Sequence, residues 1–151
     1  MSKVRPSYRA VLVDDDELRS LATHNVLRKI DIRTDIYRSY MDAREHADNF
    51  TDAMVVIVDL LLPKGGWDIG PVTTQDRQEW GMHLIHELRE EFAVAAAFLL
   101  ITAGWNLGPI KRELDALRVT PHTVKTVWGL AEAAGRLVAA QLGKSETVVD
   151  F

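Results

Sequence analysis

Short runs of apolar, mostly β-branched residues alternate along the chain with longer stretches whose apolar positions recur at helical spacing. The short runs predict five strands, at residues 10–13, 32–37, 54–58, 97–101 and 122–124. The run at 54–58 is apolar throughout, as expected for a parallel strand with helices on both faces. The longer stretches predict helices over residues 16–29, 40–50, 80–92, 109–117 and 127–142.

Two of the predicted helices have an apolar stripe, which in the first keeps roughly helical spacing. In the first helix it consists of Leu18, Leu21, Ala22, Val26 and Ile30, and in the last of Val127, Leu130, Ala131, Ala134, Leu137, Val138 and Leu142. Five strand–helix units of this size predict an α/β fold, an open five-stranded parallel sheet with helices on both faces. We expect a single domain over residues 1–151, with its core at about 8–142 and a C-terminal tail at 143–151.

The segment at residues 64–79 interrupts the alternation of strands and helices. It contains three glycines and a proline, shows no clear period, and has Trp67 and Trp80 at or near its ends. Loops of this length in compact domains are usually functional or disordered. We expect an inserted loop, and our hypothesis is a lid or a partner-docking surface anchored by the two tryptophans. The alternative is that the tryptophans only cover core residues.

Composition and charge exclude several classes of function. The chain has 151 residues, of which 47% are hydrophobic, and its net charge of −4 comes with basic residues spread along the sequence. This balance argues against nonspecific nucleic-acid binding and against a polybasic membrane anchor. The absence of cysteine excludes disulfides, thiolate zinc sites and cysteine nucleophiles. Without a signal-peptide pattern or an apolar run of membrane-spanning length, we expect a cytoplasmic protein.

Polar residues stand where four of the predicted strands end. These are the aspartate triplet at residues 14–16, then Asp59, Thr102 and Lys125. Ligands of open α/β sheets bind at this edge, so we expect the four groups to converge. Clustered carboxylates repel one another unless a cation offsets their negative charge. Mg²⁺, which prefers oxygen ligands, is the natural candidate for that cation. A carboxylate in that field can attack phosphorus to give an acyl phosphate, with Lys125 facing the phosphate oxygens.

Four segments together resemble the receiver domains of two-component response regulators. They are Val-Leu-Val-Asp-Asp-Asp at 11–16, Val-Asp-Leu-Leu-Leu-Pro at 58–63, Leu-Ile-Thr-Ala at 100–103 and Val-Lys at 124–125. Each motif alone is weak, and their order and spacing carry the resemblance. It covers about residues 8–142 apart from the inserted segment, and it implies the flavodoxin-like strand order 2-1-3-4-5.

The resemblance implies a role for each residue of the acidic site. Asp59 would be the phosphoacceptor and a metal ligand. Asp15 would bind Mg²⁺, or Mn²⁺, directly, and Asp14 would bind it largely through water. The backbone carbonyl of Leu61 would complete the protein ligands.

The remaining implied roles concern phosphoryl recognition and output. Thr102 would hydrogen-bond the phosphoryl group, Lys125 would pair with it, and His122 would take the place of the switch aromatic. The phosphoryl donor would be a histidine kinase or a phosphotransfer protein, and output would pass through an unidentified partner. The output surface, which that partner would contact, would include Lys111, Arg112, His122 and Trp128. Self-association as a homodimer stays open. Such a domain is a signalling phosphoacceptor that at most assists its own phosphotransfer and dephosphorylation, and is not otherwise an enzyme.

Several positions depart from the family pattern. Thr126 follows Lys125 where the family usually has proline, often after a cis peptide bond, and a cis bond before a non-proline residue costs roughly 3 kcal/mol. Leu61 and Gly104 occupy positions that tune dephosphorylation, and neither side chain can orient water, so we expect a long-lived phosphoryl state. Gly81 is expected to open the third helix, as a glycine does in the family.

Other functions remain as alternatives. A receiver-like scaffold could bind a partner constitutively, as Thr126, His122 and the insertion would allow. An aspartyl-phosphate phosphohydrolase is disfavoured because Leu61 stands where a second acid would be required. A P-loop nucleotidase is excluded because its glycine-lysine motif is absent.

Each signal also has a purely structural interpretation. The aspartate triplet could cap a helix, Thr102 could simply end a strand, and Lys125 could be a solvated charge. His83 and His86 lie three residues apart on a predicted helix, where a solvated or packed pair is favoured over a shared metal.

Overall fold

A computed structural model describes residues 8–65, 74–102 and 107–149. Five parallel strands form one sheet: β1 Tyr8–Val13, β2 Ile32–Tyr37, β3 Val55–Asp59, β4 Ala97–Thr102 and β5 Val119–Thr123. Their order is β2-β1-β3-β4-β5. The predicted flavodoxin-like α/β architecture is therefore confirmed.

Helices cover both faces of this sheet. They are α1 Glu17–Lys29, α2 Tyr40–Glu45, α3 Thr74–His86, α4 Lys111–Leu117 and α5 Val127–Val149. A 3₁₀ turn (Ala47–Phe50) follows α2, a π-helical turn (Glu87–Glu91) extends α3, and a 3₁₀ turn (Gly108–Ile110) leads into α4. The central strand β3 is buried along its whole length, with one core against α1 and α5 and the other against α2, α3 and α4. This two-sided burial explains why its sequence is apolar up to the final Asp59.

The third helix differs from the prediction. It begins at Thr74, six residues before the predicted start at Trp80, so part of the expected loop at 64–79 is helical. The first turns of α3 read Thr-Gln-Asp-Arg-Gln-Glu, which contains good helix formers but no apolar stripe, so hydrophobic periodicity could not reveal them. Residues 66–73, including Trp67 of the hypothesised lid, lie outside the described residues.

Two further elements, the last helix and the last strand, are longer than predicted. Helix α5 runs to Val149, so most of the expected C-terminal tail continues the last helix. Strand β5 begins at Val119 instead of residue 122 and includes Pro121, which is exposed. Because β5 is an edge strand of the described sheet, a proline without an amide hydrogen can be accommodated there. None of the described helices combines the length and hydrophobicity needed to cross a bilayer.

The helix α1 was located correctly, but its predicted apolar stripe was wrong in part: Val26 packs against the core, whereas the two leucines do not. Leu18 and Leu21 are 82% and 57% exposed, whereas Ser20, Thr23 and Leu27 are buried against the sheet. The helix buries two hydroxyl residues, and Thr23 satisfies its hydroxyl by donating a hydrogen bond to the carbonyl oxygen of Arg19 at 2.7 Å. The rotation of α1 that exposes the leucines turns Arg19 towards the strand ends, where it forms ion pairs.

Candidate functional site

Three aspartates meet at the carboxyl edge of the sheet. Carboxylate oxygens of Asp14, Asp15 and Asp59 all lie within 4.8 Å of one another. Asp14 is fully buried, Asp59 is 8% exposed, and Asp15 is exposed. The predicted convergence of acids from two strands is therefore observed, while their roles as phosphoacceptor and metal ligands stay predictions.

The register of the strands accounts for this convergence. Val13 of β1 lies opposite Val58 of β3, so the residues that follow them, Asp14 and Asp59, stand side by side. Asp16 has the capping role that was the alternative for the whole triplet, because its carboxylate accepts a hydrogen bond from the amide of Arg19 at 3.0 Å. The capping interpretation is therefore correct for the third member of the triplet, while metal binding by the first two stays a prediction.

Arg19 lies between the two buried carboxylates and was not foreseen from the sequence. Its Nε and Nη2 atoms donate to Asp14 at 2.6 and 2.8 Å, and Nη2 also lies 3.1 Å from Oδ2 of Asp59. The only hint in the sequence was a basic residue in the first turn of a helix, where the helix dipole disfavours positive charge. A cation at that position requires nearby acids, and the preceding triplet supplies them.

Burial and charge shift the pKa of Asp59. The pKa of Asp59 is raised from 3.8 to about 7, mainly by burial and in addition by the neighbouring Asp14 carboxylate. The guanidinium of Arg19 opposes that shift, as does the amide of Leu61, which donates to Oδ1 of Asp59 at 3.1 Å. The same carboxylates raise the pKa of Arg19. A cation that enters the site would favour the ionised form of Asp59 and so lower its pKa.

A buried hydroxyl group faces the same site. Thr102 is 4% exposed, and its Oγ1 atom has no hydrogen-bond partner among the described residues. It borders an open cavity of about 370 Å³, lined by Asp15, Asp16, Arg19, Asp59, Leu61, Ile101 and Thr102. An unsatisfied buried hydroxyl is costly, so a ligand oxygen placed in the cavity would find a ready donor.

Solved structures with the same architecture include several receiver domains. A CheY-like response regulator receiver domain protein from Methanospirillum hungatei superimposes with a TM-score of 0.69 at 16% identity, covering 91% of this chain and 98% of its own. A response regulator from Thermotoga maritima gives a TM-score of 0.67 at 18% identity, covering 88% and 98%. The chain has the receiver-domain fold. The sequence matches no protein-family model and no curated protein, so the likeness concerns the fold alone.

Two predicted site residues, Lys125 and His122, are not among the described residues that line the cavity. Lys125 is exposed. His122 is half-buried on β5, opposite Ile101 of β4. Gly104, predicted to tune dephosphorylation, lies outside the described residues.

Thr126, which stands where the receiver-domain pattern usually has proline, has a structural role of its own. Oγ1 of Thr126 accepts a hydrogen bond from the amide of Gly129 at 3.0 Å, in the manner of a helix N-cap before α5. Over the described ranges every peptide bond is trans. Thr126 therefore starts the last helix by capping it.

Gly81 does not open the third helix as predicted, because it lies inside α3. A Cβ atom at this position would come within 2.6 Å of the carbonyl oxygen of Leu60 and 2.9 Å of its Cα atom. The glycine is needed because the helix passes directly over the backbone at the end of β3.

His83 and His86 do not share a ligand site. Nε2 of His83 lies 2.7 Å from Oε1 of Glu87, whereas Nε2 of His86 lies 3.1 Å from Oε2 of Glu113. Each histidine therefore has its own acidic partner, in agreement with the structural interpretation. In the part of the chain that the structure describes, the aspartate cluster is the one group with the spacing of metal ligands.

Proposed function

We propose that this protein is a phosphoacceptor receiver domain of a two-component or phosphorelay system, phosphorylated on Asp59 in a Mg²⁺-dependent reaction. The observation that carries the proposal is the position of Asp59, buried within 4.8 Å of two further aspartates. It is supported by the hydroxyl of Thr102, which borders the same cavity and has no hydrogen-bond partner in the part of the chain that the structure describes. The receiver fold is the setting in which such a cluster has a signalling role.

The residues present fit a hard divalent ion. Asp15, Asp59 and the carbonyl oxygen of Leu61 would hold Mg²⁺ or Mn²⁺ directly, and Asp14 would hold it through water. Once bound, the ion supplies positive charge that offsets the repulsion between the acids and the incoming phosphoryl oxygens. All of these donors are oxygen atoms, as Mg²⁺ prefers.

In the proposed reaction, a carboxylate oxygen of Asp59 attacks the phosphorus of a phosphohistidine on a kinase or phosphotransfer protein. The new P–O bond forms as the P–N bond breaks, and the electron pair of the P–N bond returns to the imidazole nitrogen of the donor. The hydroxyl of Thr102 donates a hydrogen bond to a phosphoryl oxygen. Lys125 turns from its exposed position to pair with the phosphoryl group, and His122 follows Thr102 as the output surface changes.

The phosphoacceptor role is tested with acetyl phosphate, a small phosphoryl donor that requires no cognate kinase. Intact mass spectrometry should detect one added phosphoryl group with Mg²⁺ and none with EDTA. Asp59→Asn should abolish the adduct, whereas the control Asp48→Asn, at an exposed aspartate, should leave it unchanged. An absent wild-type adduct, or one that persists in Asp59→Asn, would contradict the proposal.

A second candidate function is a scaffold that binds its partner without phosphorylation. The observation that favours it is Arg19, which already supplies a cation to Asp14 and Asp59. On this reading the adduct never forms at any Mg²⁺ concentration, and Asp59→Asn binds the same partner as strongly as the wild type does.

A further inference from the structure

Arg19 occupies an electrostatically unusual position. With Asp16 as the N-cap, it is the third residue of α1, where the helix dipole favours negative charge. Its side chain is only 26% exposed, which for a guanidinium requires compensating partners. Two buried carboxylates provide them through three short hydrogen bonds.

These bonds use the oxygens that a metal would need. Both oxygens of Asp14 accept hydrogen bonds from Arg19, and Oδ1 accepts a second from the amide of Asp16. On Asp59, Oδ2 accepts from Arg19 and Oδ1 from the amide of Leu61. A cation entering between Asp14 and Asp59 would therefore meet a guanidinium that already neutralises them.

We propose that Arg19 is a built-in counter-cation that competes with the divalent metal for Asp14 and Asp59. This inference rests on the metal site of the proposed function and adds a regulatory element to it. In the metal-free protein the guanidinium holds the two acids together, and metal binding displaces it. The exposed quarter of the Arg19 side chain gives it a route to solvent when it leaves.

The competition makes metal binding weaker than the acids alone would allow. Hydrogen bonds between charged groups are among the stronger ones in proteins, and the metal must replace those to Asp59 and loosen those to Asp14. Removing the guanidinium should therefore tighten Mg²⁺ binding at least about tenfold. The same change should destabilise the metal-free protein, because two buried carboxylates lose their counter-charge.

The test is calorimetric titration of MgCl₂ into the full chain. Arg19→Met keeps most of the apolar stem and removes the charge, and Arg28→Met removes the same charge from the exposed far end of α1 as a matched control. We expect the Mg²⁺ dissociation constant to fall at least about tenfold in Arg19→Met and to stay within about twofold of wild type in Arg28→Met. Thermal unfolding in EDTA should show a lower melting temperature for Arg19→Met, with a larger rise on Mg²⁺ addition than in wild type.

Two further readouts are independent of any phosphorylation activity. Arg19→Lys keeps the charge but cannot donate the paired hydrogen bonds that the guanidinium makes to Asp14. Its Mg²⁺ affinity should therefore lie between those of wild type and Arg19→Met. This variant also serves if Arg19→Met does not fold. In wild-type protein, the Arg19 Nε–H resonance should shift and exchange faster with water as Mg²⁺ is added.

Equal or weaker Mg²⁺ binding by the Arg19 variants would overturn the competition and leave the proposed metal site standing. If neither wild type nor variant binds Mg²⁺, both the competition and the metal site of the proposed function are wrong. The two failures are therefore distinguishable.

Discussion

A methyl group on Gly81 would lie 2.5 Å from the carbonyl oxygen of Asp59, closer than real Cβ atoms approach other atoms. Helix α3 consequently rests on the backbone of the residue proposed to accept phosphate. The contact couples the position of Asp59 to the helix that follows it. A small residue at Gly81 is thus required by the site as well as by the packing of α3.

Gly81→Ala should destabilise the protein by about 1–3 kcal/mol, because the backbone at Asp59 and Leu60 cannot move away as a flexible side chain could. The control is Gly135→Ala in α5, where the nearest atom to an added Cβ is Cδ1 of Ile30 at 3.4 Å. That variant should be neutral or stabilised by up to about 1 kcal/mol, through the higher helix propensity of alanine. Urea unfolding followed by circular dichroism measures both. Equal effects at the two sites would refute the close contact.

Thr102→Val should separate stability from phosphoryl recognition. The substitution removes a buried hydroxyl without a described partner, so the free energy of unfolding should stay unchanged or rise by about 1 kcal/mol. The phosphorylated fraction after acetyl phosphate treatment should fall, because a donor to the phosphoryl oxygen is lost.

The matched control for Thr102 is Thr34→Val on β2. Thr34 is also buried, and its hydroxyl also lacks a partner within the described ranges. This variant should show the same stability effect with normal phosphorylation. Identical phosphorylation in both variants would argue against a phosphoryl contact of Thr102.

The raised pKa of Asp59 predicts a pH dependence of stability in the metal-free protein. Between its ordinary value of 3.8 and about 7, the unfolded chain has lost the proton while the folded protein retains it. The contribution of Asp59 to the free energy of unfolding therefore falls as pH rises through this window, by up to about 4 kcal/mol, and is constant above it.

Asp59→Asn removes this contribution. The variant should gain stability relative to wild type as pH rises from about 4 to about 7, with no further gain at higher pH. Urea unfolding in EDTA at several pH values checks the difference. A constant difference across the window would show that the carboxyl group titrates in the folded protein as it does in the unfolded chain.

Thr126→Ala should cost about 0.5–2 kcal/mol through loss of the cap on α5. Thr126→Ser retains a hydroxyl and should stay within a few tenths of a kcal/mol of wild type. Thermal and urea unfolding measure both variants. If alanine and serine behave alike, the hydroxyl does not stabilise the start of the helix.

Much of the fold could be predicted because a strand that is buried on both faces of the sheet requires a continuous run of apolar residues. Strand β3 has to be apolar at its first four positions, and the aspartate that ends it stands out for that reason. The order of the strand-end residues alone predicts that Asp14 and Asp59 meet, and the structure places them together.

The predictions were wrong where the hydrophobic pattern of the sequence does not reflect the structure. The early turns of α3 have no apolar stripe to detect, and α1 buries Ser20 and Thr23 while exposing Leu18. Arg19 could not be placed because its position depends on the rotation of α1 about its axis, which is fixed by ion pairs with residues from two strands. Ion pairs of this kind produce no periodic pattern in the sequence.

The central claim is that the carboxyl group of Asp59 accepts phosphate, and chemical mapping of the acyl phosphate tests it most directly. After treatment with acetyl phosphate and Mg²⁺, borohydride reduction converts a phosphorylated aspartate into homoserine, which peptide mass spectrometry locates. We predict homoserine at position 59 and unmodified aspartate at Asp14 and Asp15. Homoserine at another aspartate, or at none, would contradict the account.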